Sequence, residues 1–143
     1  MSNGLFPQTV EYALRLMAHL AVAGRNGSLP SQDLAEATDI PLAYVSKVLR
    51  KLVVAGLLES QRGHGGGFRL AKSPSRISFA AIMEAVGYEP EPRACAFGQE
   101  RCDSENPCLL HPAYAALKER FADWARNTTL TDVRRGTSGR YIL

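Results

Sequence analysis

The apolar and polar positions of this chain alternate in a way that predicts several helices and one glycine-rich hairpin. Over residues 8–23, Val10, Leu14, Met17 and Ala21 recur at helical spacing, and Leu16 and Leu20 widen the stripe. GRNGS, at 24–28, breaks that helix. Ser31 is placed to cap a second, short helix, QDLAEATD, with Asp33 favourable in its first turn. Asp39-Ile40-Pro41 makes a turn, and Pro41 suits a first helical position.

The third helix, PLAYVSKVLRKLVVAG, has two distinct faces. At about 100° per residue, Leu42, Val45, Val48, Leu49, Leu52 and Val53 share one side. Ala43, Tyr44, Ser46, Lys47, Arg50 and Lys51 share the other, which is short near its start and basic further on. Gly56 ends the helix. Two short strands, LLES and FRLA, then flank QRGHGGG, whose glycines free the backbone for a tight, exposed tip. SPSRIS, at 73–78, reads as a linker and SFAAIMEAVG, at 78–87, as a fourth helix. YEPEPRA, at 88–94, is irregular because of its prolines. From Pro112 a long helix carries Tyr114, Leu117, Phe121 and Trp124 at helical spacing. Its own chain offers little to bury that stripe, so it is a candidate dimerisation helix, with packing on the first helix as the alternative.

The expected fold class is therefore mainly α: a winged helix-turn-helix with a long C-terminal dimerisation helix. The divisions are 1–75 for the winged helix-turn-helix, 76–111 for a short helix and cysteine-rich loop, 112–133 for the dimerisation helix and 134–143 for a flexible tail. Charge changes the picture by pointing to a partner. The chain's net charge is only +3, yet residues 40–72 hold six basic residues (Lys47, Arg50, Lys51, Arg62, Arg69, Lys72) against one acid, Glu59. A local basic patch on a near-neutral chain fits an anionic partner, although a solvated helix face has the same charge. The position of the patch favours double-stranded DNA. The third helix can lie in a major groove, its small residues near base edges and Lys47, Arg50 and Lys51 near bases or phosphates. The glycine-rich wing lets Arg62 enter a minor groove. Tyr44, His64, Gly65 and Arg69 complete the candidate DNA-binding set.

All three cysteines fall in one run, CAFGQERCDSENPCLLH, with spacing Cys95-x6-Cys102-x5-Cys108-x2-His111. An odd number of cysteines argues against a disulfide framework and for metal or redox chemistry. Thiolates select zinc or iron–sulphur centres, and imidazole suits both. The tight Cys-x2-Cys or Cys-x4-Cys knuckles common in zinc sites do not occur, and wide gaps let a loop wrap a larger object. An iron–sulphur cluster, zinc and reactive thiols without metal all stay open on spacing alone. His111, near the start of the long helix, is the fourth candidate ligand, with a helix-capping role as its alternative.

These stretches resemble the IscR/NsrR/RirA family of bacterial iron–sulphur regulators, the Rrf-type winged-helix transcription factors. The resemblance covers about residues 5–133. EYALRLMAHLA is similar to the family's opening helix, and IPLAYVSKVLRKLVVAGLLESQRGHGGGFRLAK to its recognition helix and wing. RISFAAIMEAVG is similar to the helix that follows, and TTLTDV, at 128–133, to the end of its long helix. The resemblance implies a homodimer whose long helices cross, each cluster loop lying beside the partner's DNA-binding domain. It implies that Cys95, Cys102 and Cys108 are cluster ligands and that His111 completes a 2Fe–2S site. Glu11 falls where NsrR-like members use an acidic ligand from the other subunit, and a 4Fe–4S cluster is the alternative to 2Fe–2S. Ala43, Ser46 and Lys47 fall at base-reading positions and Arg62 at the minor-groove position of the wing. One departure is the first cysteine gap, six residues where IscR-like members have five.

The function expected is a cytoplasmic, dimeric DNA-binding regulator, read as a repressor, whose operator affinity is set by a cluster sensing redox, nitric oxide or iron and cluster status. Thiol oxidation or zinc on the same DNA-binding frame is the alternative. An enzyme is not expected: no nucleophile–base pairing stands out, and GHGGG lacks the Lys-Ser/Thr of a nucleotide-phosphate loop. No run is long and apolar enough to span a bilayer, so no membrane partner is expected.

Overall fold

A computed structural model describes residues 4–24, 27–89 and 95–135. Of the expected tail, 134–143, residues 136–143 lie outside these residues, as does most of YEPEPRA, while 134–135 belong to the last helix. Element order is α1 (Gln8–Ala23), α2 (Ser31–Thr38), α3 (Leu42–Val54), β1 (Leu58–Gln61), β2 (Gly67–Leu70), a 3-10 turn (Pro74–Arg76), α4 (Phe79–Ala85), α5 (His111–Asn127) and α6 (Leu130–Arg135). This is the mainly α, winged helix-turn-helix architecture that the apolar pattern predicts.

α1 runs through the centre. Val10, Ala13, Leu16, Met17, Leu20 and Ala21 are buried along it, and α2, α3, α4 and α6 all pack on it. Ser31 does not cap α2: Pro30 holds the cap position, and Ser31 is already helical. Proline there presets the backbone, and no side chain accepts from the first amides. At the other end Asp39 takes a left-handed conformation, φ 54°, which a short polar side chain tolerates. The amide of Ile40 then bonds the Ala35 carbonyl at 3.2 Å, closing the turn into α3. Pro41 sits one place before the first helical residue instead of at it.

α3 buries Val45, Val48, Leu49 and Leu52, as expected. Leu42 is nevertheless 42% exposed, and Val53 only half-buried, because the core covers a narrower arc at the helix ends. The C-terminus closes in a Schellman motif. Gly56, at φ 78°, donates to Val53, and Leu57 donates to Leu52 at 3.0 Å, while both leucines are buried. That turn launches the wing directly from the helix.

β1 and β2 pair antiparallel, with Leu58 opposite Leu70 and Gln61 opposite Gly67. The strands are displaced by a residue from LLES and FRLA, since Leu57 is spent in the helix cap. The wing is rooted on the segment before α2: Leu29 and Phe68 exchange amide–carbonyl bonds of 2.9 and 2.8 Å. Gly67, at φ 142°, permits this approach, since a Cβ there would lie 2.4 Å from the Leu29 carbonyl carbon and oxygen.

Ser78 caps α4, its hydroxyl accepting from the Ala81 amide at 3.1 Å. α5 is shorter than the expected 112–133. It begins at His111 and ends at Asn127, where the chain turns back. Thr129 bridges to Ser78, and Leu130, fully buried, starts α6 against α1. The turn has a chemical cause: Asp132 accepts from the Thr129 amide at 2.8 Å and Thr129 Oγ1 from the Thr131 amide at 3.3 Å, which caps a new helix.

The α5 stripe is only partly covered among the described residues. Ala122 and Ala125 are buried, and Phe121 and Trp124 join Phe6, Phe79 and Tyr88 in an aromatic cluster that packs α5 on α4 and the N-terminal segment. Leu117 stays 62% exposed and Trp124 43% exposed.

Candidate DNA-reading face and cysteine site

The amphipathic pattern of α3 turns Ala43, Tyr44, Ser46, Lys47, Arg50 and Lys51 outward, and all six are exposed. Arg62, His64 and Gly65 lie exposed at the wing tip, where Gly63 and Gly65 hold positive φ of 90° and 74°. A shallow groove runs between helix and wing, lined by Ser31, Ser46, Arg50, Val53, Ser60 and Phe68. Ser31 and Ser60 add hydroxyls that the sequence pattern does not single out for this face; the Leu29–Phe68 pairing that roots the wing helps bring them into the groove with Ser46. Arg69 also faces outward, but its Nε donates to Glu59 Oε2 at 2.9 Å across the hairpin. An exposed pair of this kind is worth about 0–1 kcal/mol, little enough to be exchanged for a phosphate.

The second site lies where the loop meets α5. Cys95, Cys102 and Cys108 are each half-buried, and their sulphurs lie within 4.8 Å of one another. Cys95 Sγ and Cys108 Sγ are 3.7 Å apart, and Cys102 Sγ is 3.3 Å from Nδ1 of His111. Local turns fold the loop this way. Asp103 Oδ1 accepts from the amides of Glu105 and Asn106 at 2.9 and 2.8 Å, and Gly98, at φ 72°, donates to the Cys95 carbonyl. The His111 amide donates to the Cys108 carbonyl at 3.1 Å, which fixes the histidine beside the last cysteine.

The thiols differ in acidity. The Gln99 and Phe97 amides donate to Cys95 and draw its pKa down to about 7. At Cys102 a backbone bond from Cys108 pulls downward, but desolvation and the two neighbouring thiols outweigh it and the value is raised.

The donor set fits a soft metal centre. Two thiolates on one tetrahedral metal, with metal–sulphur bonds of about 2.3 Å, stand about 3.7 Å apart, the spacing of Cys95 and Cys108. A polynuclear cluster spreads its thiolates further, and most loop residues between the cysteines are exposed. Glu11 lies half-buried in the first turn of α1 and is not part of the sulphur group within one chain. No helix among the described residues is long and apolar enough to cross a membrane.

Residues 6–136 match the Rrf2 family model, described as an iron-dependent transcriptional regulator. The chain is 32% identical over 131 residues to a protein of Aquifex aeolicus named as an HTH-type transcriptional regulator, covering 90% of each. It is 34% identical over 122 residues to the HTH-type transcriptional regulator IscR of Yersinia pseudotuberculosis, covering 85% of this chain and 74% of that one. Its fold is similar to that of CymR, the global cysteine regulator of B. subtilis, at a TM-score of 0.80 and 22% identity, over 93% of this chain and 98% of that one. Relatives and fold alike are those of transcriptional regulators and not of enzymes. The chain belongs to the Rrf2 family of transcriptional regulators.

Proposed function

We propose that the chain is a homodimeric DNA-binding repressor whose operator affinity is set by an iron–sulphur cluster on Cys95, Cys102, Cys108 and His111. The observation that carries this reading is the gathering of three thiols within 4.8 Å, with an imidazole 3.3 Å from one of them, in a chain of an iron-dependent regulator family. The imidazole favours a 2Fe–2S centre over 4Fe–4S, with the partner subunit's Glu11 as the alternative fourth ligand. When bound, the cluster supplies a centre that gains or loses an electron and reacts with small oxidants. The chain's own part is to hold the thiolates and to tie their state to α5 through His111.

Output lies on α3 and the wing. Ala43, Ser46 and Lys47 read base edges from a major groove. Tyr44, Arg50, Lys51 and Arg69 meet the backbone, and Arg62, with His64 and Gly65, enters the minor groove beside it. The exposed, partly apolar α5 stripe supports the homodimer, since Leu117 and Trp124 are exposed among the described residues and a second surface would cover them.

Anaerobic purification tests the cluster: absorption, iron and acid-labile sulphide are measured per dimer. Brown protein with matched iron and sulphide is expected. Cys102→Ala is expected to lose the colour, keep the dimer and change operator affinity by about 5- to 150-fold. Colourless protein after reconstitution removes the cluster from the reading.

A second reading has its own observation. The Cys95 thiol, drawn down to about 7, touches Cys108 at 3.7 Å. Peroxide can join the two: both thiols lose hydrogen, a disulfide forms and two waters leave. Metal-free protein whose operator binding is lost with peroxide and restored by dithiothreitol favours this switch.

A further inference from the structure

Three side chains outside the cysteine site form a stack that ends on the DNA-reading face. Nη1 of Arg15, in α1, donates to the carbonyl of Thr38, the last residue of α2, at 3.1 Å. The same guanidinium lies over the ring of Tyr12, 5.6 Å from its centroid. Tyr12 meets Tyr44 near the start of α3 edge to face, with centroids 5.8 Å apart and planes at 66°. Arg15 and Tyr12 are half-buried, while Tyr44 remains 49% exposed.

The order of the stack matters. Thr38 is buried and its hydroxyl donates to the Leu34 carbonyl at 2.6 Å, so the far end is anchored in the fold. Arg15 carries that anchor to Tyr12 through a cation–π contact. Tyr12 carries it to Tyr44 through an aromatic pair, whose preferred geometry fixes the second ring. An unsupported tyrosine near a helix start samples several rotamers, and ordering it on binding lowers affinity. Here the Tyr12 ring supports it edge to face.

We propose that Tyr12 and Arg15 are positioning residues that preset Tyr44 as a DNA contact. This rests on the reading that α3 enters a major groove. Tyr44 offers its exposed ring to a sugar or thymine methyl and its hydroxyl to a phosphate oxygen. Tyr12 and Arg15 act only through it.

The test is a double-mutant cycle in the full-length dimer. The probe is a duplex that the wild-type protein selects from a random pool, with a scrambled duplex as reference. Tyr44→Ala is expected to weaken operator binding about ten-fold and Tyr12→Leu about five-fold. Tyr12→Phe, which keeps the ring, holds wild-type affinity. The double variant Tyr12→Leu/Tyr44→Ala loses no more than Tyr44→Ala alone, a pattern that a general structural role for Tyr12 does not produce. Additive losses, or full affinity in Tyr12→Leu, overturn the proposal. Should Tyr12→Leu fail to fold, Arg15→Met takes its place in the same cycle. Wild-type protein that selects no sequence removes the DNA reading and this proposal together, whereas selective wild-type protein with an additive cycle removes only this one.

Discussion

Leu49 in α3 is fully buried, whereas Leu109 in the cysteine loop is 95% exposed. The two leucines mark two ways of ordering a chain. Around Leu49, α1, α2, α3, α4, α6 and the base of the wing share one apolar core, which reaches from Ala13 to Leu130. Around Leu109 no such core exists among the described residues. The loop keeps its shape through Asp103, Gly98, the thiol contacts and the first turn of α5. Burial of apolar surface is non-directional and tolerates substitution of similar volume, while a loop held by a few polar groups depends on each of them. The winged-helix half is thus rigid by packing, and the cysteine half depends on a few polar contacts.

The comparison can be broken by substitution. Leu49→Ala leaves a cavity in the shared core and is expected to lower stability by about 3 kcal/mol, against less than about 0.5 kcal/mol for Leu109→Ala. Urea unfolding of both variants, at equal protein concentration, measures the difference. Similar losses at the two positions would mean that the loop is packed against something in solution. Gly67→Ala comes next. Its Cβ would meet the Leu29 backbone, so a loss of about 2 kcal/mol is expected, with wing mobility increased by hydrogen exchange. A neutral result would show that the wing is not rooted on the Leu29 segment. Ser78→Ala sharpens the boundary between the halves: the α4 cap is worth about 1 kcal/mol, and the chemical shifts of α4 should move while those of the wing do not.

The half rigid by packing was also the half legible in the sequence. Val45, Val48, Leu49 and Leu52 announce both the buried and the exposed side of α3, because helical period and burial are the same fact viewed twice. The ends of elements were less legible. Ser31 resembles a cap, but Pro30 reaches that position first. Thr128 to Val133 continue a helical pattern, yet the Asp132–Thr129 bond starts a new helix that turns back onto α1. Local spacing cannot weigh the burial of Leu130 against one more turn of α5. The cysteine run was legible as soft ligands close in sequence. Their convergence was expected from gaps wide enough for the loop to wrap one object, but the turns at Gly98 and Asp103 that produce it were not, since spacing does not encode them. The Tyr12–Tyr44 pair and the Arg69–Glu59 bond join different elements and become visible only in three dimensions.

The chain contains a single tryptophan, and it sits where the two halves meet. Trp124 lies on α5, edge-on to Phe79 of α4 at 5.6 Å and stacked near Phe6 of the N-terminal segment at 6.4 Å. Its indole is partly exposed, so its emission wavelength responds to local polarity. A shift of α5 against α4 would therefore change the protein's own fluorescence. The molecule carries a built-in optical gauge at its joint, with no competing indole and no label required.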